Sequence, residues 1–232
     1  MVEVKKLNFQ YEDEAVLQNI NLSIKDWAYT AIIGANGSGK TTLAKHFNAL
    51  LTPTKGSVMV DNIDTKRNPL DVRKKVGFIF QNPEDHLVYS IVEEDIAFGL
   101  ENLGLETKAM KERVNLILKE LDIENLAKKN VNALSMGQKQ LTALAGVLAM
   151  NPKYIVFDEP TTMLDNRNKK NIMSLINRIN KKNNVGIIMI TNTLDDVRYA
   201  EDVIVLKNGK IIFNDRKSRL NKSINKEAGL DA

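Results

Sequence analysis

Apolar and polar residues alternate through "VEVKKLNFQY" and "VLQNINLSI", which predicts two β-strands joined by a turn at "EDEA". The unbroken apolar run "YTAIIG" predicts a strand buried on both faces, and "TTLAKHFNALL" repeats its apolar residues at helical spacing. Strand-like "GSVMV" and "KVGFIF" follow. From Pro83 to Met150 the period lengthens to three and four, predicting helices at "SIVEEDIAFGLENL", "KAMKERVNLILKELDI" and "GQKQLTALAGVLAM". Strand and helix then alternate: "YIVFDEP", helix "NKKNIMSLINRINKKN", "VGIIMIT", short helix "LDDVRYA", "DVIVLK" and "KIIFND". Such alternation favours an α/β fold with a mostly parallel sheet covered by helices. The polar end "RKSRLNKSINKEAGLDA" predicts no defined element, and the chain has neither internal repeats nor a low-complexity linker.

A length of 232 residues suits one large domain or two joined lobes, and 43% hydrophobic with 27% charged residues is an ordinary globular balance. The 33 basic and 29 acidic residues leave a net charge of +4, dispersed without a block of one sign, so nucleic acid is not an expected partner. Cysteine is absent, excluding disulfides and thiolate metal sites. The start lacks a signal-like apolar core, and runs such as "LTALAGVLAM" are far shorter than the roughly 20 residues of a membrane-crossing helix. Any membrane role must come through a partner.

"GANGSGKT", Gly34 to Thr41, has the spacing of a phosphate loop, with a buried strand before it and a helix after it. Gly37 and Gly39 allow close approach, so that backbone N–H groups from Asn36 through Thr42, Ser38 among them, can surround phosphate oxygens. The helix N-terminus favours anions, Lys40 reaches terminal phosphates, and the Thr41 hydroxyl suits magnesium. "YIVFDEP" places Asp158 and Glu159 at a strand end, and parallel strand ends converge on one crevice. With the phosphate loop upstream, Asp158 is a magnesium ligand and Glu159 a general base toward water; standing alone, such a pair is more often a helix cap or solvated turn. In "NALSMGQKQ", Ser135 and Gly137 open another helix, by themselves an ordinary N-cap with a flexible glycine.

Taken in order, these segments resemble the nucleotide-binding subunits of ABC transporters over nearly the whole chain. Tyr11 matches the adenine-stacking aromatic, "GANGSGKTT" Walker A, Gln81 in "FQNPED" the Q-loop, "LSMGQ" the signature, "YIVFDEP" Walker B, and "TTMLD" with Asp165 the D-loop. The resemblance implies a P-loop NTPase (RecA-like) core with an N-terminal antiparallel β subdomain, together residues 1–82 and 151–215, a helical signature subdomain at 83–150 and a short tail at 216–232. It also implies MgATP as ligand, with Thr41, Gln81 and Asp158 at the metal. In the implied head-to-tail dimer, Ser135, Gly137 and Gln138 of one subunit meet the phosphates held by the other, and Asp165 communicates between sites. Closure on ATP and opening after hydrolysis move transmembrane partners.

"FQNPEDHLVYSIVEEDIAFGLENLGL", "AKHFNALL" and "AGVLAM" are similar to the energy-coupling factor ATPases. These drive uptake of cobalt, nickel or vitamins together with a membrane coupling subunit and a membrane substrate-binding subunit. The implied location is the cytoplasmic face of the membrane. Repair and translation ATPases of the superfamily are a poorer match, since this chain has neither a long coiled coil nor a second cassette.

Three residues depart from the pattern. Met136 stands at the first signature glycine, Leu141 at a position often basic, and Asn192 where the family has its switch histidine. The two histidines stand elsewhere, His46 expected on a helix surface and His86 in a solvated loop or partner contact. Asn192 can donate a hydrogen bond but carries no titratable proton. Losing one charge-assisted transition-state bond costs roughly 2–4 kcal/mol, about 30- to 1000-fold in rate. The expectation is strong ATP binding with slow hydrolysis, which leaves two readings: a transport ATPase, or a regulatory or engineered subunit that closes with little turnover.

Overall fold

The computed structural model describes residues 1–230. Its first strands are β1 (Val2–Tyr11) and β2 (Glu14–Ile24), joined by a two-residue turn in which Glu12 adopts φ 48°. With β4 (Lys55–Val60) and the short β5 (Ile63–Asp64) they form an antiparallel sheet in the order β2-β1-β4-β5. The second sheet runs β10-β9-β3-β8-β7-β6, from β3 (Tyr29–Ile33), β6 (Val76–Ile79), β7 (Tyr154–Asp158), β8 (Gly186–Thr191), β9 (Asp202–Lys207) and β10 (Lys210–Arg216). All its pairings are parallel except β9 with β10. The expected α/β architecture is therefore present.

Side-chain alternation along the central strands divides the interior in two. Ile32, Ile188, Ile190, Tyr154 and Val156 face one core with β1, β2, β4 and α1 (Lys40–Phe47). Ala31, Ile33, Ile187, Met189, Ile155 and Phe157 face the other. That second core also holds α3 (Val92–Asn102), α4 (Thr107–Glu120), α5 (Met136–Ala149) and α6 (Asn166–Asn183). Strands buried on both faces need continuous apolar sequence, which is why "YTAIIG" and "VGIIMIT" lack alternation.

The structure departs from the pattern in several places. Helix α2 (Pro69–Lys75) buries only Val72, too little for periodicity to show. "LDDVRYA" forms just a 3-10 turn, Leu194–Val197. The polar tail folds into α7 (Lys222–Glu227), and Ala228 and Leu230 beyond it join the second core. The Ala35 N–H donates to the Ala228 carbonyl at 3.1 Å, placing the tail directly against the phosphate loop.

His46 departs from its expected surface position. It is fully buried, with Nδ1–H donating to the Thr42 carbonyl at 2.7 Å and its ring edge-on to Phe9 at 4.8 Å. Leu43, His46 and Phe47 share one helix face, and that face is the core face. Burial lowers the His46 pKa, keeping it neutral.

Candidate nucleotide site

Strand β3 delivers the chain into a loop that only glycine could thread. A Cβ on Gly34 would fall 2.1 Å from the Leu206 carbonyl oxygen, and Gly39 caps α1 at φ 99°, in the left-handed region. Lys40 is 5% exposed, and its ammonium donates to the Gly34 and Ala35 carbonyls at 2.9 and 3.0 Å. Burial lowers its pKa, and the carboxylates of Glu159 and Asp158 oppose that shift. The fold thus holds a buried cation at the loop's mouth, with Glu159 Oε1 4.0 Å away.

Parallel pairing carries β6, β7 and β8 to the same edge. At the end of β7, Asp158 Oδ1 accepts from the Thr41 hydroxyl at 2.8 Å. Desolvation raises the Asp158 pKa, with the Thr41 hydrogen bond working against it. Glu159 takes φ 48°, a conformation costing a side-chain-bearing residue about 1–2 kcal/mol, and its N–H donates to the Ile190 carbonyl at 3.0 Å. Its Oε2 receives the Thr162 hydroxyl at 3.3 Å and Gln81 Nε2 at 3.5 Å. Backbone strain at Glu159 is held in place by that bond and aims the carboxylate toward the loop.

Asn36, Gly37, Gly39, Lys40, Thr41, Thr42, Gln81 and Glu159 line one cavity of about 320 Å³, with Val16 from β2. Ser38 is buried beneath the loop. Tyr11, 45% exposed at the end of β1, stacks edge-on to Phe9 at 4.8 Å, and Phe9 in turn meets His46. An aromatic row therefore runs from α1 to an exposed ring, which stands outside the lining of the cavity.

Asn192, exposed at the end of β8, donates through Nδ2 to Asn36 Oδ1 at 2.9 Å and accepts the Thr193 hydroxyl at 3.1 Å. Asn192 therefore touches the phosphate loop through Asn36. Asp196 stands behind it, 1% exposed, and was not recognised in the sequence. Its Oδ2 accepts from Thr161 at 2.8 Å and Thr191 at 3.0 Å, and Oδ1 lies 3.2 Å from the Lys169 ammonium. Asp196 thus ties the ends of β7 and β8 to α6. The only hint was an acidic residue directly before Val197 in "LDDV", which does not separate it from exposed Asp195.

The signature residues are not brought to this cavity. Ser135 and Gln138 form a capping box on α5, Gln138 N–H to Ser135 Oγ at 3.4 Å and Ser135 N–H to Gln138 Oε1 at 3.1 Å. Gly137 packs beside Asn168, and Asp165 caps α6 by accepting the Arg167 and Asn168 N–H groups, each at 2.9 Å. Met136 and Leu141 are half-buried, Leu141 against the second core. His86 is not solvated as expected: it is half-buried and accepts the Phe80 N–H.

The oxygens of Thr41 and Asp158, with Gln81 on the same cavity wall, are hard donors of the kind magnesium prefers. Among the described residues no cluster of three His, Cys, Asp or Glu could hold a metal alone, so the donor set suits an ion that keeps waters and substrate oxygens as ligands.

The sequence model of the ABC transporter family matches residues 17–162. The chain is 45% identical over 220 residues to the cobalt import ATP-binding protein CbiO of Syntrophus aciditrophicus, covering 93% of this chain and 78% of that protein. It is 43% identical over 239 residues to the energy-coupling factor transporter ATP-binding protein EcfA1 of Clostridioides difficile, covering 100% of this chain and 86% of that protein. Among solved structures, cbiO1 from Clostridium perfringens, part of the ABC transporter complex cbiONQ, superposes with a TM-score of 0.86 at 34% identity, over 98% of this chain and 95% of that one. The ATP-binding cassette MJ0796, solved as a dimer in a post-hydrolysis state bound to ADP and Pi, gives 0.83 at 30% identity, over 93% of this chain and 98% of that one. This chain belongs to the ABC transporter family, as an ATP-hydrolysing cassette that resembles the ATP-binding proteins of energy-coupling factor and cobalt importers.

Proposed function

We propose that this chain is the motor subunit of an energy-coupling factor importer, coupling MgATP-driven dimer closure and hydrolysis to uptake of a small solute, a cobalt or nickel ion or a vitamin. The observation that carries this reading is the single cavity where phosphate-loop residues, Gln81 and Glu159 meet. Lys40 and the loop N–H groups bind terminal phosphates, and exposed Tyr11 stacks the base. Thr41, Asp158 and Gln81 hold magnesium, which when bound neutralises phosphate charge and orients the terminal phosphoryl group. Glu159, half-buried beside Lys40 and fixed by Thr162, orients and deprotonates the attacking water.

Ser135, Gly137, Gln138 and Asp165 lie outside the cavity lining, which supports a head-to-tail dimer in which a second cassette supplies the signature. With no helix among the described residues long and apolar enough to span a membrane, the cassette reaches it through a coupling subunit and a substrate-binding subunit. Asn192 shares Asn36 with the phosphate loop but has no proton to exchange, so it slows hydrolysis without barring closure. That same contact favours a second reading, a regulatory cassette that closes on ATP with little turnover.

Copurification from native membranes tests the assignment. The expected result is two membrane subunits and a bound cobalt or nickel ion or vitamin, with MgATP-dependent phosphate release. A cassette that binds duplex DNA tightly at physiological salt and captures no membrane subunit would refute it.

A further inference from the structure

Gln81 lies in a turn that is tied at several points. After β6, Asn82 caps the 3-10 turn Pro83–His86 by accepting the Glu84 N–H at 3.2 Å. The turn returns His86 to the strand end, where Nε2 accepts the Phe80 N–H at 2.6 Å and the two rings lie 4.8 Å apart. Because an N–H can only donate, Nε2 must be the bare nitrogen and Nδ1 the protonated one. Glu84 pairs with the ammonium of Lys139, a residue 9% exposed on the first turn of α5, next to the cap formed by Ser135. Farther along, Asp95 accepts the Val88 and Tyr89 N–H groups at 2.6 and 2.9 Å. Within this frame Gln81 is left exposed and directed at Glu159.

We propose that His86 and the Glu84–Lys139 pair are positioning residues for hydrolysis. His86 fixes the backbone entering Gln81, and the pair clasps that turn to the helix carrying the signature, so that Gln81 and Ser135 move as one piece. This rests on the roles given to Gln81 and Ser135 above. The Glu84 carboxylate is exposed, but the Lys139 ammonium it meets is buried on α5, and His86 satisfies a backbone group of the strand end.

Four single variants and one double variant test the clasp in the full chain. His86→Leu removes the acceptor and should lower kcat about tenfold with KM for ATP changed less than about twofold, since a displaced catalytic group acts on rate more than on binding. His86→Gln keeps an acceptor oxygen and should restore kcat to within about threefold of the parent. Glu84→Gln and Lys139→Met should each lower kcat several-fold, and the double variant should fall no further than the worse single one. Hydrogen exchange gives a readout independent of turnover: His86→Leu should raise exchange at Phe80–His86, and Lys139→Met at both that turn and the start of α5. Parental kcat and exchange in His86→Leu, equal impairment in His86→Gln, or additive losses for Glu84 and Lys139 would overturn the clasp. A parent chain that releases no phosphate would count against the transport reading instead, and the exchange pattern would still decide this one.

Discussion

Strands β7 and β8 run side by side, register Asp158 against Ile190, and end at the same crevice, yet their ends are built differently. At β7 both backbone and chemistry are fixed: Asp158 is buried on Thr41, and Glu159 is held in a left-handed conformation beside Lys40. At β8 the backbone is fixed just as firmly, through Thr191 and buried Asp196, but the side chain it presents is the neutral amide of Asn192. The strand end is buttressed while the side chain it presents carries no titratable proton. Binding geometry and chemical capacity are therefore separable at two adjacent strand ends.

Glu159→Gln attacks the β7 end directly. Removing the base should lower phosphate release by about 10²- to 10⁴-fold while ATP binding, measured by titration calorimetry, stays within a few-fold. Strong loss of binding instead would mean that Glu159 mainly organises the loop.

Asp196→Ala attacks the support of the β8 end. It strands the Thr161 and Thr191 hydroxyls and leaves the half-buried Lys169 ammonium without its carboxylate, and losing these three contacts costs about 3 kcal/mol. For a chain of this size that corresponds to a fall of roughly 6–12 °C in Tm. A melting curve unchanged by the substitution would show that the switch backbone is held by other contacts.

A smaller effect comes from pH. Burial holds the His86 pKa at about 4, below its ordinary value of 6.5. Between these values the unfolded chain takes up a proton that the folded chain refuses, so stability is full above pH 6.5 and declines as pH falls toward 4. His86→Gln should flatten that part of the stability profile, and an unchanged slope in urea titrations across this range would contradict the assignment.

Much of the fold is legible in the sequence because its signals are local. Buried strands such as "VGIIMIT" are continuous apolar runs, and the glycines of "GANGSGKT" are required by the loop they build. What escapes is polar and non-local. His46 and Asp196 are buried and His86 is half-buried, by a helix face, by a partner distant in sequence or by a tight turn, and residue type alone argues for the surface. Helix α2 and the tail helix bury too few apolar residues to set a period, and the tail's contact with Ala35 is visible only in three dimensions. Asn192 is the opposite case: its position was evident from the order of the motifs, and the structure adds its partner, Asn36.

On this reading Asn192 limits the chemical step. Single-turnover phosphate release from MgATP, compared between the parent chain and Asn192→His at saturating nucleotide, measures this directly. A histidine able to bond the terminal phosphate should raise the rate by about 30- to 1000-fold with little change in ATP affinity. Equal rates in the two proteins would contradict the claim that the β8 end is the handicap.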